Sequence, residues 1–600
     1  MLALLAPAMG RSSGAGLPSE GVEVDRSPIA LALTRDGSRL LVANQTSGSV
    51  SLVDPKAGRV IREAKTGDRP AGVAVSPDGR RVVVAHWYGY DLAVLDLEGD
   101  RLEVLGRIEV GPEPRGVVIA GDGRTGYVAI GVKDEVVRFD MVDFKVTGRV
   151  AVGREPRGLA LTPDGSKLVA ANARSRSLSV VDLAKFEVER TLSHEGDNLR
   201  QLVVSGDGRY AYVAAMKNRG FATSPNNIDL GWVLGQRVVR LALDGSEPSE
   251  VLSLDPKGDA AGDAHGLAIN GSASFLAVAC GGTHEVMIFR EGARPLPWRA
   301  GVGRDLMAAD LVLDKSRFRR IPVGGRPTEL VLSPDGATLY VANYLDNSVQ
   351  VIDAASATLA RTIPVGGPSE PSLARRGEAL FHDAKRSSNN WYSCNTCHSD
   401  GHTNGLDFDT SNDGWQDLSN SHLRSRKKVP TLRRVAETAP WTWHGWQKSL
   451  DDSILESFTK SMQGKYPSRD DVRALSAYLG TLDFPRNPYL EADGSRSESA
   501  RRGEAVFRSA RSACASCHGG PEFTDGKVHE VGLGERGDVY KGHNPPSLRG
   551  VYDKDPYLHD GRARTLQDAL SGVHSPESLV GGESLSPAEL EDLIAYLKTL

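Results

Sequence analysis

Two short runs carry the chemistry of this 600-residue chain, Cys394-Asn-Thr-Cys-His398 and Cys514-Ala-Ser-Cys-His518, both of the form Cys-x-x-Cys-His. Two thiols one helical turn apart can form thioethers with the two vinyl groups of a haem, and the histidine that follows then lies under the iron. The alternative uses of such cysteines are zinc binding and dithiol redox chemistry. A zinc ribbon, however, brings its pairs within about 15 to 20 residues of each other, whereas these pairs stand at 394/397 and 514/517. The expected cofactors are therefore two covalently bound haems c. Cys394, Cys397 and His398 hold one, Cys514, Cys517 and His518 the other, with His398 and His518 as iron ligands. The fifth cysteine, Cys280, lies in the apolar run FLAVACGG and reads as a buried small hydrophobe.

The elements that must position these motifs come in duplicate. Ala374-Arg-Arg-Gly-Glu-Ala-Leu-Phe381 returns as Ala500-Arg-Arg-Gly-Glu-Ala-Val-Phe507, each time ahead of a Cys-x-x-Cys-His. Each copy ends on a segment apolar at helical spacing, 471–482 and 589–600. A third match pairs 430–445 with 546–561 and sets Trp443 opposite His559. These repeats predict two mainly α cytochrome c domains in tandem, 369–490 and 491–600.

The preceding part has a different period. Turn glycines recur at Gly37, Gly79, Gly123, Gly165 and Gly208, in steps of 42 to 44 residues, and again at Gly336. Each lies between short alternating β patterns, such as Val73–Val75 and Arg81–Ala85. Four strands per repeat form a unit that buries its faces only against its neighbours, so the units must stack in a ring. Two longer units, 208–271 and 271–336, bring the count to seven, with extra residues at Lys217–Trp232 and Trp298–Arg320. The fold class is thus an N-terminal all-β seven-bladed propeller over 21–368 followed by the tandem cytochrome region. His86 and His194 are solitary and read as packed or surface histidines, because a metal site needs several converging donors.

The blades resemble the YVTN-type seven-bladed propellers, Val42-Ala-Asn44 and Val341-Ala-Asn343 being nearest to that repeat. Residues 370–600 resemble the bacterial dihaem cytochrome c peroxidases and their MauG-type relatives, through Pro556-Tyr-Leu-His-Asp-Gly561 and a tryptophan at Trp443. The resemblance implies a haem-dependent oxidoreductase that reduces hydrogen peroxide or uses it to oxidise a substrate. In it His518 anchors the electron-transfer haem, His398 the reactive one, and Trp443 bridges them. It names His559 and Gln463 as further catalytic positions, Gln463 standing where the family has a glutamate, with Glu456 a substitute. The sixth ligand of the second haem falls on Val573, with His574 one residue on and able to offer an imidazole. The distal histidine of the first haem is replaced by Asp413, just before Gly414-Trp-Gln416. His402, His422 and His444 are the alternatives. Relatives also hold a calcium ion between the halves, for which no ligand set is legible here.

Net charge is −5 and no basic block exceeds Arg424–Lys428, which argues against a nucleic-acid partner. No run of eighteen apolar residues suggests a membrane span. The apolar start within 1–20, MLALLAPAM, reads as the remnant of a secretion signal, and with haem c it implies a periplasmic or otherwise exported protein. The expected partners are a small oxidant such as hydrogen peroxide and a periplasmic electron-donor protein, docked on the propeller. The alternative is a non-enzymatic electron-transfer cytochrome whose propeller binds its partner.

Overall fold

A computed structural model describes residues 23–300, 306–410, 426–535, 538–581 and 584–600. The signal-like start, Asp413, Gly414-Trp-Gln416 and His422 lie outside the described residues.

Seven antiparallel sheets of four or five strands fill 28–364. The first blade runs Pro28–Leu33, Leu40–Asn44, Ser49–Asp54 and Arg59–Lys65; the seventh runs Pro327–Leu332, Thr338–Asn343, Ser348–Asp353 and Thr358–Pro364. Second and third strands are almost wholly buried between neighbouring blades, and the outermost strands are largely exposed, as Arg59–Lys65 is. The repeated Asp-Gly makes the first turn of a blade. Asp36 Oδ1 accepts from Thr34 Oγ1 at 2.6 Å and from the Ser38 N–H at 3.0 Å, and Gly37 takes φ +70°, a conformation that glycine adopts without a Cβ penalty. The Val-Ala-Asn signature also has a reason. Asn44 is fully buried, and its Nδ2 donates to Ser49 and Ser51 hydroxyls at 3.2 and 2.8 Å, tying the second strand to the third. Asn172 repeats this in the fourth blade. The ring closes without a shared sheet: the Leu31 N–H donates to the Glu329 carboxylate at 2.9 Å, and Thr328 Oγ1 donates to the Ile29 carbonyl at 3.1 Å.

The first insertion, carrying the short helix Pro225–Asp229, joins the second and third strands of blade five and reaches the haem region: Asn218 Nδ2 donates to the Asp407 carbonyl at 2.9 Å, and the Thr223 N–H to the Asp409 carbonyl at 3.1 Å. The second adds the strand Arg299–Ala300 to blade five and delays the outer strand of blade six until Phe318–Pro322.

In the haem region the helices Leu373–Phe381 and Arg469–Leu479 cross, and Glu498–Arg508 and Pro587–Lys598 cross likewise. The repeated Arg-Arg-Gly-Glu-Ala is what lets them. A Cβ on Gly377 would lie 1.9 Å from the Ala474 carbonyl oxygen, and one on Gly503 would lie 1.9 Å from that of Asp592. No helix among the described residues is long and apolar enough to cross a membrane.

The haem region sits on one mouth of the propeller. Arginines on or just before the inner strands of separate blades, Arg115, Arg157, Arg200 and Arg326, converge on Asp400 at 3.2, 3.7, 3.4 and 3.6 Å. The second half docks through Asp555, 2.7 Å from Arg154, and Asp553, 3.3 Å from Arg174. This mouth is thus occupied by the chain's own cytochrome region.

Candidate haem sites

Both Cys-x-x-Cys-His motifs open onto one cavity of about 690 Å³, walled largely by apolar side chains such as Phe458, Leu475 and Leu597. Each motif is a single helical turn, Cys394–Cys397 and Cys514–Cys517, ended by its histidine. The first is capped by Ser393 and Thr396, whose hydroxyls both donate to the propeller's Asp263, the Ser393 bond at 2.5 Å.

The donors fit covalent haem better than zinc or dithiol chemistry. Burial pushes the Cys394 thiol up to about 12 and raises Cys397 and Cys514 as well, which argues against a reactive dithiol, and the two thiols and one imidazole of each motif are one donor short of a closed zinc site. Burial lowers His398 and His518 to about 4, leaving both imidazoles neutral. His398 Nδ1–H donates to the Pro430 carbonyl at 2.9 Å and His518 Nδ1–H to the Phe523 carbonyl at 3.2 Å. Such a bond fixes the ring and leaves Nε2 to meet a metal.

The remaining sequence candidates separate sharply. His574 ends the turn Gly572–His574, lines the cavity and has Nδ1 3.1 Å from the Ala569 carbonyl, the arrangement seen at both proximal histidines. A charge on it would be felt by His518. Val573, at the aligned position, is 49% exposed. Trp443 and His559 both line the cavity from equivalent loops, which follow Thr442 at φ +70° and Leu558 at φ +69°. Trp443 Nε1 donates to the Lys428 carbonyl at 2.8 Å, and its ring lies 6.4 Å from that of His559. His559 is buried with neither ring nitrogen partnered. Burial, with Lys427 and His543 nearby, lowers it to about 3.

Three expectations need correction. Gln463 does not line the cavity; its amide donates to the Thr223 carbonyl of the propeller insertion. Glu456 is also off the wall, paired with Lys460 at 2.6 Å. His402 has both nitrogens engaged, by Thr431 Oγ1 at 2.7 Å and the Asp553 carbonyl at 3.0 Å, and His444 turns away toward the Gly542 carbonyl. Among the described residues, His398 is the only histidine of the first half on the cavity wall. As to calcium, the groups of side chains that could hold a metal among the described residues both contain imidazole, whereas calcium takes oxygen ligands.

Two further features belong to the site. Asp400, two residues after His398, anchors the first motif in the arginine ring; the recurring Pro-Arg-Gly at 114–116 and 156–158 was its visible signal. Thr442 Oγ1 and Gln447 Oε1 lie on the cavity wall, buried and unpartnered.

Comparison with known proteins agrees with this geometry. Residues 371–481 match the family model described as di-haem cytochrome c peroxidase, and residues 500–600 the one described as cytochrome c. The hydrazine synthase subunit gamma of Kuenenia stuttgartiensis is 30% identical over 280 residues, covering 39% of this chain and 79% of that protein. The methylamine utilization protein MauG of Methylorubrum extorquens is 26% identical over 302 residues, covering 40% and 80%. A solved chain of Kuenenia stuttgartiensis hydrazine synthase aligns with TM-score 0.51 and 27% identity, covering 58% of this chain and all of that one. That share exceeds what 369–600 contain, so the match takes in the propeller.

Proposed function

Because the chain belongs to the di-haem cytochrome c peroxidase family, we propose that it is an exported dihaem oxidoreductase that consumes hydrogen peroxide or a related small oxidant. Haem c held by each Cys-x-x-Cys pair would supply one-electron iron chemistry and a metal at which a small oxidant could bind. One observation carries the reading. His574 faces the same cavity as His518 in a ligand-ready pose, while no described histidine of the first half joins His398 on its wall. The second half is thereby equipped for relay and the first for binding.

The chain's own residues divide the remaining work. Pro430 and Phe523 carbonyls hold the two proximal rings in the tautomer that presents Nε2. Thr442 Oγ1 and Gln447 Oε1 can orient a small polar oxidant, but neither exchanges protons near neutral pH. His559, held neutral by burial and with both ring nitrogens unpartnered, is a wall imidazole that can donate a hydrogen bond to the oxidant or accept one from it. Trp443 stands ready as the aromatic link between the halves. A periplasmic electron-donor protein would use a surface that the propeller leaves uncovered.

The test is a spectrum of the purified haem-loaded protein, in resting and half-reduced forms, with cyanide or peroxide added. One of the two haems should respond. No response in either form would overturn the enzymatic reading and leave a pure electron carrier. A second reading, participation in hydrazine-synthase-type chemistry, is favoured by similarity to that enzyme's gamma subunit and to a chain of its solved structure. Peroxide-dependent oxidation of a reduced donor cytochrome supports the first reading; cyanide binding without peroxide turnover supports the second.

A further inference from the structure

At the edge of the haem cavity, whose wall includes His543, three side chains from the two halves converge without a role in the reading above. His444 follows Trp443 in the first half; Asp538 and His543 belong to the second. Each offers one ligand atom, and these atoms all lie within 4.8 Å of one another. We propose that His444, Asp538 and His543 form a binding site for a divalent transition-metal ion of the zinc type, clasping the two cytochrome halves together.

The imidazoles are what separate this cluster from an ordinary ion pair. The His444 side chain is fully buried, its Nδ1–H donates to the Gly542 carbonyl at 2.7 Å, and its Nε2 has no partner. Metal-bound histidines have this arrangement, one nitrogen on a carbonyl and the other on the ion. His543, 6% exposed, also has an Nε2 without a partner, and its ring lies 4.8 Å from that of His444. Two buried nitrogens without hydrogen bonds are costly unless something completes them. His444 Nε2 is 3.6 Å from Asp538 Oδ1, a span that a bridging cation would take up.

The backbone holds the donors in place. The Asn544 N–H donates to the Trp443 carbonyl at 2.8 Å, so the segments that carry His444 and His543 lie side by side, and His543 is further paired with His529 through both main-chain groups. Asp538 Oδ2 accepts from the Glu535 N–H at 2.8 Å, which orients its other oxygen.

Among the described residues, a lysine already touches the cluster. Lys427 Nζ donates to Asp538 Oδ1 at 2.6 Å and stands 3.9 Å from a second carboxylate, Glu535. An arriving ion takes Asp538 and displaces the ammonium toward Glu535, so Lys427 is a competitor that sets the affinity. Two imidazoles and one carboxylate suit zinc, and also nickel or copper, rather than calcium or magnesium, which require oxygen ligands. Three protein donors leave a fourth position for water. The neighbouring group of Glu535, His559 and Asp560 is a weaker candidate, because Arg562 engages Asp560 at 2.5 Å and stands 3.7 Å from Glu535, so both of its carboxylates already face a guanidinium.

The test uses the haem-loaded full chain, stripped with a chelator and titrated with zinc chloride by calorimetry, with bound zinc counted by elemental analysis and haem absorbance checking that the fold is intact. One zinc per chain is expected, with binding at least tenfold weaker in His543→Ala and in Asp538→Asn and several-fold tighter in Lys427→Gln. Excess calcium should not compete. Asp538→Asn, which keeps the side-chain shape, decides the matter should the histidine variant fail to fold. Absence of zinc uptake by the stripped protein, or uptake unchanged in Asp538→Asn and Lys427→Gln, overturns the proposal.

Discussion

The two cytochrome halves are copies with the same skeleton and different surroundings. Both begin on a helix whose glycine admits a crossing partner, both hold a proximal histidine on a carbonyl, and both place one side chain, Trp443 or His559, on a loop that turns through a positive φ. They part at the residues just after the iron-binding histidine. The first reads Ser399-Asp400-Gly401 and drives a carboxylate into four propeller arginines; the second reads Gly519-Gly520 and has His574 to face His518 instead. Duplication preserved what the fold needs, and the halves diverged where each meets something outside the duplicated skeleton.

The largest test of that contrast is Asp400→Asn. Burial alone would raise this carboxyl, but Arg200, Arg115, Arg157 and Arg326 hold it well below the ordinary carboxylate range. Arg200 in turn is pushed down to about 10 by burial and the crowding of Arg157. Losing the charge strips Arg200 and Arg326 of their carboxylate while Arg115 and Arg157 keep Glu113 and Glu155, and removing one partner of a buried pair costs about 3–5 kcal/mol. The melting temperature of the haem-loaded protein should fall clearly, with the first haem's spectrum perturbed more than the second's. A variant as stable as the parent would mean that the arginine ring does not depend on Asp400.

His574→Ala attacks the other side. With its second imidazole gone, the His518 haem should bind cyanide as the His398 haem does, raising the stoichiometry from one to two per chain while both haems stay attached. A stoichiometry still at one would show that His574 is not the sixth ligand.

How much of this was legible beforehand follows the range of the interactions. The propeller announces itself because most blades are encoded within some 43 residues, turn glycine included, with a buried asparagine in the first, fourth and seventh. The haem motifs are legible because thioether attachment fixes their spacing. The groups around the irons are not, since each depends on a partner far away in sequence. Gln463 is drawn off by Thr223, 240 positions away, and His402 by Asp553, 151 away. His574 rather than Val573 meets the cavity because a short 3₁₀ turn rotates the pair, a one-residue difference that alignment to relatives does not resolve.

Where the halves meet, Lys428 and Lys554 offer a test by pH. Burial lowers each to about 7, with Lys428 adding to the effect on Lys554. The unfolded chain keeps these amines protonated up to about pH 10.4. Between pH 7 and that value the unfolded state therefore binds protons that the folded state has released, and stability rises with pH across this window. The gain in melting temperature from pH 7.5 to 9.5 should shrink in Lys428→Met. Equal gains would show that Lys428 is not the group responsible.

The smallest expected structural effect belongs to Trp443→Phe, and it bears most directly on what the duplication became. At the equivalent point the second half carries His559, an imidazole suited to hydrogen bonding; the first carries an indole, suited to electrons, at the wall of the cavity both halves share. Phenylalanine keeps the apolar bulk and loses the Nε1–H bond to the Lys428 carbonyl, worth about 1 kcal/mol. Stability and haem content should barely change. If the indole is the link, rapid mixing of the half-reduced protein with peroxide should show the His398 haem reacting at the parent's rate and the His518 haem lagging behind it. If both haems respond as in the parent, the halves exchange electrons without the tryptophan, and the difference between Trp443 and His559 is one of packing alone.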